Sequence, residues 1–398
     1  MLKTDPWLLP EGFEELLPDQ AKRLESLRRK LLDTFARWGY ELVIPPMIEY
    51  LDSLLTGSGH DLDLQTFKLI DQLSGQVLGI RADMTPQVAR IDAHHLRQQG
   101  PTRLCYAGTI LHTRGDPLEK TRSPMQIGAE LYGHAGIESD FEIIQLMLET
   151  LALAGVENVH LDLGHVGIFR GLTQLAGLNE QQESALFDIL QRKSKAELKA
   201  LMAELAIDEQ LKAIFLLLPE LNGGPEVIQK TAQLLTLDHD ALTVALADLE
   251  YLTLQLNKCF PNLPISFDMA ELRGYYYHTG VVFAAFVPSV GREIARGGRY
   301  DNIGEVFGRA RPATGFSSDL KLLSVLNYHS EQHKIPPRIL APYADDPELS
   351  ELIRDLRARG NVVIQQLPGQ ATVGVEQLNC TAVISKTEQG WIKKNLET

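Results

Sequence analysis

The stretch RLCYAGTILHTRGDPLEKTRSPMQIGAELYG, residues 103–133, decides how the chain folds. Two apolar runs, 103–111 and 125–133, flank the charged loop HTRGDPLEKTRSP, so the segment reads as a long hairpin and predicts an antiparallel sheet. Residues 64–92 repeat the pattern: two apolar strands turn near Ser74–Gly75 and lead into a helix at TPQVAR. Thr85 suits the N-cap of that helix and Pro86 its first helical position.

Working outward, residues 20–38 place Leu24, Leu27, Leu31, Leu32 and Phe35 at helical spacing, which predicts an amphipathic helix ending at Gly39. YELVIPP then reads as a strand stopped by Pro45 and Pro46. Residues 138–154 predict a further amphipathic helix, and NVHLDLGHVGIF begins another strand. From 168 to 256 the pattern turns helical with little strand signal, as a helical insertion would. Strands resume in PISFDMAELRGYYYHTGVVFAAFV and REIARGGRYDNI. After the linker NYHSEQHKIPP, residues 338–367 read strand, helix, strand, and the tail adds one or two short strands. The expected organisation is a core over 1–328 containing the 168–256 insertion, with a small α/β domain over 336–398.

Composition narrows the function. A net charge of −14 repels phosphate backbones over long range, so nucleic-acid binding is not expected. The start of the chain is acidic and proline-bearing where a signal peptide would be basic and then apolar, and no apolar run reaches the roughly 18 residues of a membrane span. Cys105, Cys259 and Cys380 are isolated, with neither zinc spacing nor a disulfide framework. A cytoplasmic protein with reduced thiols and no metal is expected. The neighbouring His94 and His95 point in different directions on a helix and do not suggest a shared ion.

Four segments carry the functional signal: IRADMTPQVAR (80–90), LHTRGDPLEKTRSPMQIGAELYG (111–133), ELRGYYYHTG (271–280) and GGRYDNI (297–303). Together and in this order they resemble the histidyl-tRNA synthetase family of class II synthetases, over most of residues 5–328. The resemblance implies an α+β fold: a six- or seven-stranded antiparallel sheet flanked by helices, dimerised through a helix and strand that end in proline, here LLDTFARWGYELVIPP with Pro46. It also implies a histidine pocket. Asp83 and Glu130 match acids able to accept from a ligand ammonium, and Thr85 and Gln126 match neighbouring polar contacts. Arg273 matches an arginine near the ligand carboxylate, Tyr277 the first tyrosine of a Tyr-Tyr pair, and Tyr300 the tyrosine of Gly-Gly-Arg-Tyr-Asp. His278, at the second tyrosine, is expected to pack.

The sequence departs from the synthetases at the nucleotide site. His112 and Arg114 stand where an α-phosphate arginine and an adenine-placing acid belong, and imidazole lacks the fork of guanidinium. PATGFSSDLKLL puts Asp319 and Leu322 where the third motif ends in glycine and arginine. Adenylation is therefore not expected, and the tail after 336 is short for an anticodon domain of about 100 residues. This pattern resembles the regulatory subunits of ATP phosphoribosyltransferase. The resemblance implies a non-catalytic histidine sensor for the first step of histidine biosynthesis, without cofactor. Its implied partner is a short catalytic subunit, in a hetero-oligomer that contains a homodimer. An active histidine–tRNA ligase and another synthetase-like amino-acid sensor remain the alternatives.

Overall fold

In a computed structural model the described residues are 7–56, 60–115, 121–235, 239–275, 277–326, 338–368, 375, 378–388 and 390–396. The chain divides into two compact units, Met1–Ser330 and Glu331–Thr398. Strands of the first are β1 (Glu41–Leu42), β2 (Ile48–Tyr50), β3 (Phe67–Ile70), β4 (Val77–Ile80), β5 (Thr102–Thr109), β6 (Met125–Tyr132), β7 (His160–His165), β8 (Asn222–Gly223), β9 (Ile265–Asp268), β10 (Val281–Phe286), β11 (Glu293–Arg299) and β12 (Ala313–Asp319).

Nine of these form one sheet in the order β1-β5-β6-β12-β11-β10-β7-β9-β8, and β2-β4-β3 form a small antiparallel sheet. The long hairpin is β5–β6, paired antiparallel from Thr102↔Tyr132 to Thr109↔Met125. The sheet is wider than the six or seven strands expected and is not wholly antiparallel. β1 runs parallel to β5 and β7 parallel to β9. Each parallel pair is joined through a long connection, which leaves room for the chain to return in the same direction.

Alternation along the central strands sorts polar from apolar. In β6, Ile127, Ala129 and Leu131 enter the main core. Their face continues through Phe316, Phe283 and Leu163 against helices Pro18–Arg37, Glu138–Leu153 and Asp240–Cys259. The first of these helices buries Leu24, Leu27, Leu31 and Phe35 and stops at Gly39, whose φ of +82° favours glycine. The other face carries Gln126, Gly128 and Glu130. Register sets Gly108 and Asp319 beside Gln126, Tyr106 and Ser317 beside Gly128, and Leu104 and Gly315 beside Glu130. This second face is the floor of the site.

The helical run extends from Val166–Leu175 to Asp240–Cys259. Those two end helices pack on each other and over β7 and β10, so the run shares the core of the sheet. In the second unit, β13 (Arg338–Ala341), β14 (Val362–Gln365), β15 (Cys380–Thr387) and β16 (Gly390–Asn395) order as β14-β13-β15-β16. Helix Pro347–Ala358 buries Leu349 and Ile353 and is capped by Asp346, whose Oδ1 accepts from Glu348 N at 3.0 Å. No helix among the described residues is long and apolar enough to cross a membrane.

Candidate functional site

Glu130 lies at the bottom of the site, 1% exposed. Its Oε1 accepts from the Tyr106 hydroxyl at 2.9 Å and its Oε2 from the Tyr300 hydroxyl. Burial disfavours the carboxylate and lifts its pKa to about 8, although both tyrosines pull it down. Glycine makes this arrangement possible. A Cβ on Gly315 would overlap Glu130 Oε2, and one on Gly128 would come within 2.6 Å of the Tyr106 hydroxyl oxygen.

A chain of hydrogen bonds climbs from that floor. The Tyr106 hydroxyl lies 3.1 Å from Thr85 Oγ1; because Tyr106 gives its proton to Glu130, the Thr85 hydroxyl is the donor there. Thr85 is not the N-cap that its position suggests. Met84 precedes the first turn, Thr85 and Pro86 open helix Thr85–Arg90, and Asp83 Oδ1 accepts from Thr85 N at 2.9 Å. An aspartate two residues earlier takes over the turn, which frees the threonine hydroxyl for the site. Gln126 is held at both ends: Oε1 accepts from Met84 N at 2.9 Å, and Nε2 donates to Asp83 Oδ1 at 2.8 Å.

Two aromatic rings form one wall. Tyr277 stacks on Tyr300 with centroids 4.9 Å apart and an interplanar angle of 27°. The Tyr277 hydroxyl is buried and has no hydrogen-bond partner among the described residues. Buried hydroxyls are seldom left so, because the lost hydration costs about 1–3 kcal/mol. His278 meets Tyr277 edge-on at 5.3 Å, and its Nδ1 lies 3.2 Å from the Arg299 carbonyl oxygen. Burial lowers its pKa to about 4, so it packs as a neutral ring.

The structure thus brings Asp83, Thr85, Gln126, Glu130, Tyr277 and Tyr300 into one array. Arg273 makes no hydrogen bond to any of them. It donates to Glu271 Oε2 through Nη2 at 2.7 Å and Nε at 3.0 Å, and has Glu293 and Asp162 at 3.5 and 3.7 Å. Its guanidinium also lies over the Phe286 ring, 5.6 Å from the centroid. Tyr106 is the residue that sequence reasoning missed. Counting alternation across the hairpin would have found it, because Tyr106 pairs with Gly128 on the face of Glu130.

The residues at the nucleotide positions are occupied with other tasks. His112 Nε2 lies 3.0 Å from the Ala82 carbonyl oxygen. Asp319 Oδ1 accepts from Met125 N and Lys321 N, both at 3.0 Å, while burial pushes its carboxyl pKa up. Leu322 packs against the core. Lys321 Nζ donates to Glu14 Oε1 at 3.1 Å and Ser123 Oγ at 3.3 Å. Among the described residues no three His, Cys, Asp or Glu side chains gather where they could share a metal ion.

Comparison with known proteins places the chain in a family. The family profile described as histidyl-tRNA synthetase matches residues 12–323, and the one described as ATP phosphoribosyltransferase subunit HisZ C-terminal domain matches 336–394. An ATP phosphoribosyltransferase regulatory subunit of Methylococcus capsulatus is 60% identical over 92% of this chain and 90% of its own. One of Alkalilimnicola ehrlichii is 53% identical over 99% and 98%. A crystal structure titled ATP phosphoribosyltransferase regulatory subunit/histidyl-tRNA synthetase, from Bacillus halodurans, superposes with a TM-score of 0.82 at 29% identity, covering 95% of this chain and 97% of its own. A histidyl-tRNA synthetase from Nostoc, 16% identical with a TM-score of 0.77 over 98% and 97% of the two chains, shares the fold. The chain belongs to the family of ATP phosphoribosyltransferase regulatory subunits, and is a regulatory subunit on a class II synthetase fold rather than an enzyme.

Proposed function

We propose that the array around Glu130 binds free histidine and that this binding feeds back on a short catalytic subunit of ATP phosphoribosyltransferase. The observation that carries the reading is the buried Tyr277 hydroxyl, unpartnered above a carboxyl that burial holds largely protonated. Histidine has two basic groups, an ammonium and an imidazole, and the site has two acids at different depths. Asp83 Oδ2 has no hydrogen bond among the described residues and suits the ammonium. Glu130, beneath the Tyr277–Tyr300 stack, suits the flat imidazole. Arg273 takes the ligand carboxylate by giving up part of its hold on Glu271.

In this reading the partner also requires the subunit for full activity. Coupling is reciprocal, so an inhibited assembly binds histidine more tightly. A second copy of the chain docks where Leu42, Ile44, Met47 and Ile48 are exposed around Pro45–Pro46. A closing role for loop 112–124 falls partly on residues 116–120, which lie outside the described residues. Calorimetry of the intact chain with histidine, with and without ATP, tests the reading. Histidine binding that ATP leaves unaltered is expected; no histidine binding would overturn the pocket. Assay of the reconstituted complex then tests feedback, and activity unchanged at saturating histidine would remove the regulatory role.

A further inference from the structure

The 300–311 loop and the end of the helix that begins at Thr85 meet at a second place. A cavity of about 290 Å³ lies there, lined by Ala93, Arg97, Gln99, Gly308 and Arg309. Two arginines therefore line one small space from segments far apart in a chain of net charge −14. No carboxylate is among the lining residues. The nearby Asp92 is spent on Arg311, whose Nη1 donates to both of its oxygens at 2.8 and 3.0 Å.

Backbone geometry shapes both sides of the space. Arg97 sits at the left-handed φ of 48°, a conformation uncommon outside glycine, as the residue after π-helix Ile91–Leu96. Arg309 Nη2 donates to the Gln98 carbonyl oxygen at 2.6 Å, which ties the two walls together, and its Nη1 is buried without a hydrogen-bond partner among the described residues. Gly308 leaves the mouth open, since a Cβ there would meet nothing within 4 Å.

We infer that this cavity is an anion site for a phosphate group of a small molecule, separate from the amino-acid pocket. Paired guanidinium groups present planar forks that match phosphate oxygens, and the unspent Arg309 donor gains a partner when an oxyanion enters. The volume lies at the small end for ligand cavities, which suits a phosphate or diphosphate better than a protein segment. The reaction named by the family works on phosphate-bearing molecules, so such ligands are present where the subunit acts. The inference does not rest on histidine binding.

The experiment is calorimetry of the intact chain with inorganic pyrophosphate, and separately with inorganic phosphate, at constant ionic strength. The variants are Arg309→Gln, Arg309→Lys and the double variant Arg97→Gln/Arg309→Gln, with thermal denaturation confirming that each is folded. Wild-type binding is expected, weakened more than tenfold by Arg309→Gln, less by Arg309→Lys, and abolished in the double variant. Failure of the wild type to bind either anion would overturn the site, as would equal binding by the double variant. Loss of assembly with the catalytic subunit in a double variant whose parent binds neither anion would assign the arginines to a protein carboxylate instead, and would also overturn it.

Discussion

Two neighbouring regions of the first unit are built in opposite ways. Around Glu130, the hydroxyls of Tyr106, Tyr300 and Thr85 and the amide of Gln126 are committed to one another and to the two acids, and the side chains hold one another in a fixed shape before any ligand arrives. Beside it, His112, Asp319 and Lys321 are spent on backbone groups and on Glu14 and Ser123, and the half-buried Leu322 packs against the core. A synthetase needs both regions, because adenylation depends on neutralising and positioning phosphates. A sensor needs the first alone. The nucleotide positions are single side chains already engaged elsewhere, whereas the array around Glu130 depends on glycines and paired strands beneath it.

The sharpest break in this contrast is Gly315→Ala. The new methyl occupies the place of Glu130 Oε2 and also meets the Ala129 carbonyl oxygen at 2.8 Å. Overpacking of this kind costs about 1–3 kcal/mol. We expect a lowered melting temperature and complete loss of histidine binding; retained binding would show that Glu130 is not its partner. A substitution of Leu322 should move neither histidine binding nor its pH dependence.

Glu130→Gln comes next. The folded-state pKa of about 8 stands above the ordinary value of 4.5, so the protonated carboxyl favours the folded state at low pH. That contribution is fully present below about 4.5 and is lost as pH rises towards 8. Wild-type stability should therefore fall across this window, and the amide variant should show a flatter profile. Histidine affinity in the variant should drop by about 10–100-fold, because an amide cannot pass a proton to the ligand imidazole and so cannot form the charged hydrogen bond, worth about 1.5–3 kcal/mol, that the carboxyl forms on binding. Parallel pH profiles for the two proteins would place the raised pKa elsewhere.

These two tests rest on features that the sequence reveals unequally. The hairpin of residues 103–133 is legible because apolar runs bounded by a polar loop have few other ways to bury themselves, and Glu130 follows from its motif. Tyr106 was legible only by counting alternation across the hairpin, because its role depends on register across two strands. Thr85 misled for a local reason: it has the residue type and position of a cap, but the helix opens one residue earlier, with Met84 at the cap position and Asp83 accepting from the Thr85 amide. The parallel returns of β1 and β9 escape notice because short strands carry too few residues to show a pattern.

Tyr277→Phe has a smaller effect with a distinctive sign. Removing a buried hydroxyl that has no partner relieves a desolvation cost, so the ligand-free protein should gain up to about 1 kcal/mol in denaturant titration. Histidine affinity should nevertheless fall about fivefold, because the hydroxyl is the donor or acceptor that the ligand completes. Losses in both measurements would mean that the hydroxyl is already satisfied in the free protein.

The smallest expected effect is at Arg273, where the contrast between the two regions is least settled by geometry. Its guanidinium is bound to Glu271 and flanked by Asp162 and Glu293, so a ligand carboxylate has to compete with three acids already in place. What the ligand gains from Arg273 is offset by what Glu271 gives up, and Arg273→Ala should weaken histidine binding by only about threefold. The informative partner is Glu271→Gln, which loosens the hold on Arg273 without touching the pocket. If Arg273 turns towards the ligand, this variant binds histidine more tightly than wild type, and adding Arg273→Ala erases the gain. If calorimetry gives the same affinity for wild type and both variants, Arg273 serves the sheet edge alone and the histidine site ends at Tyr277.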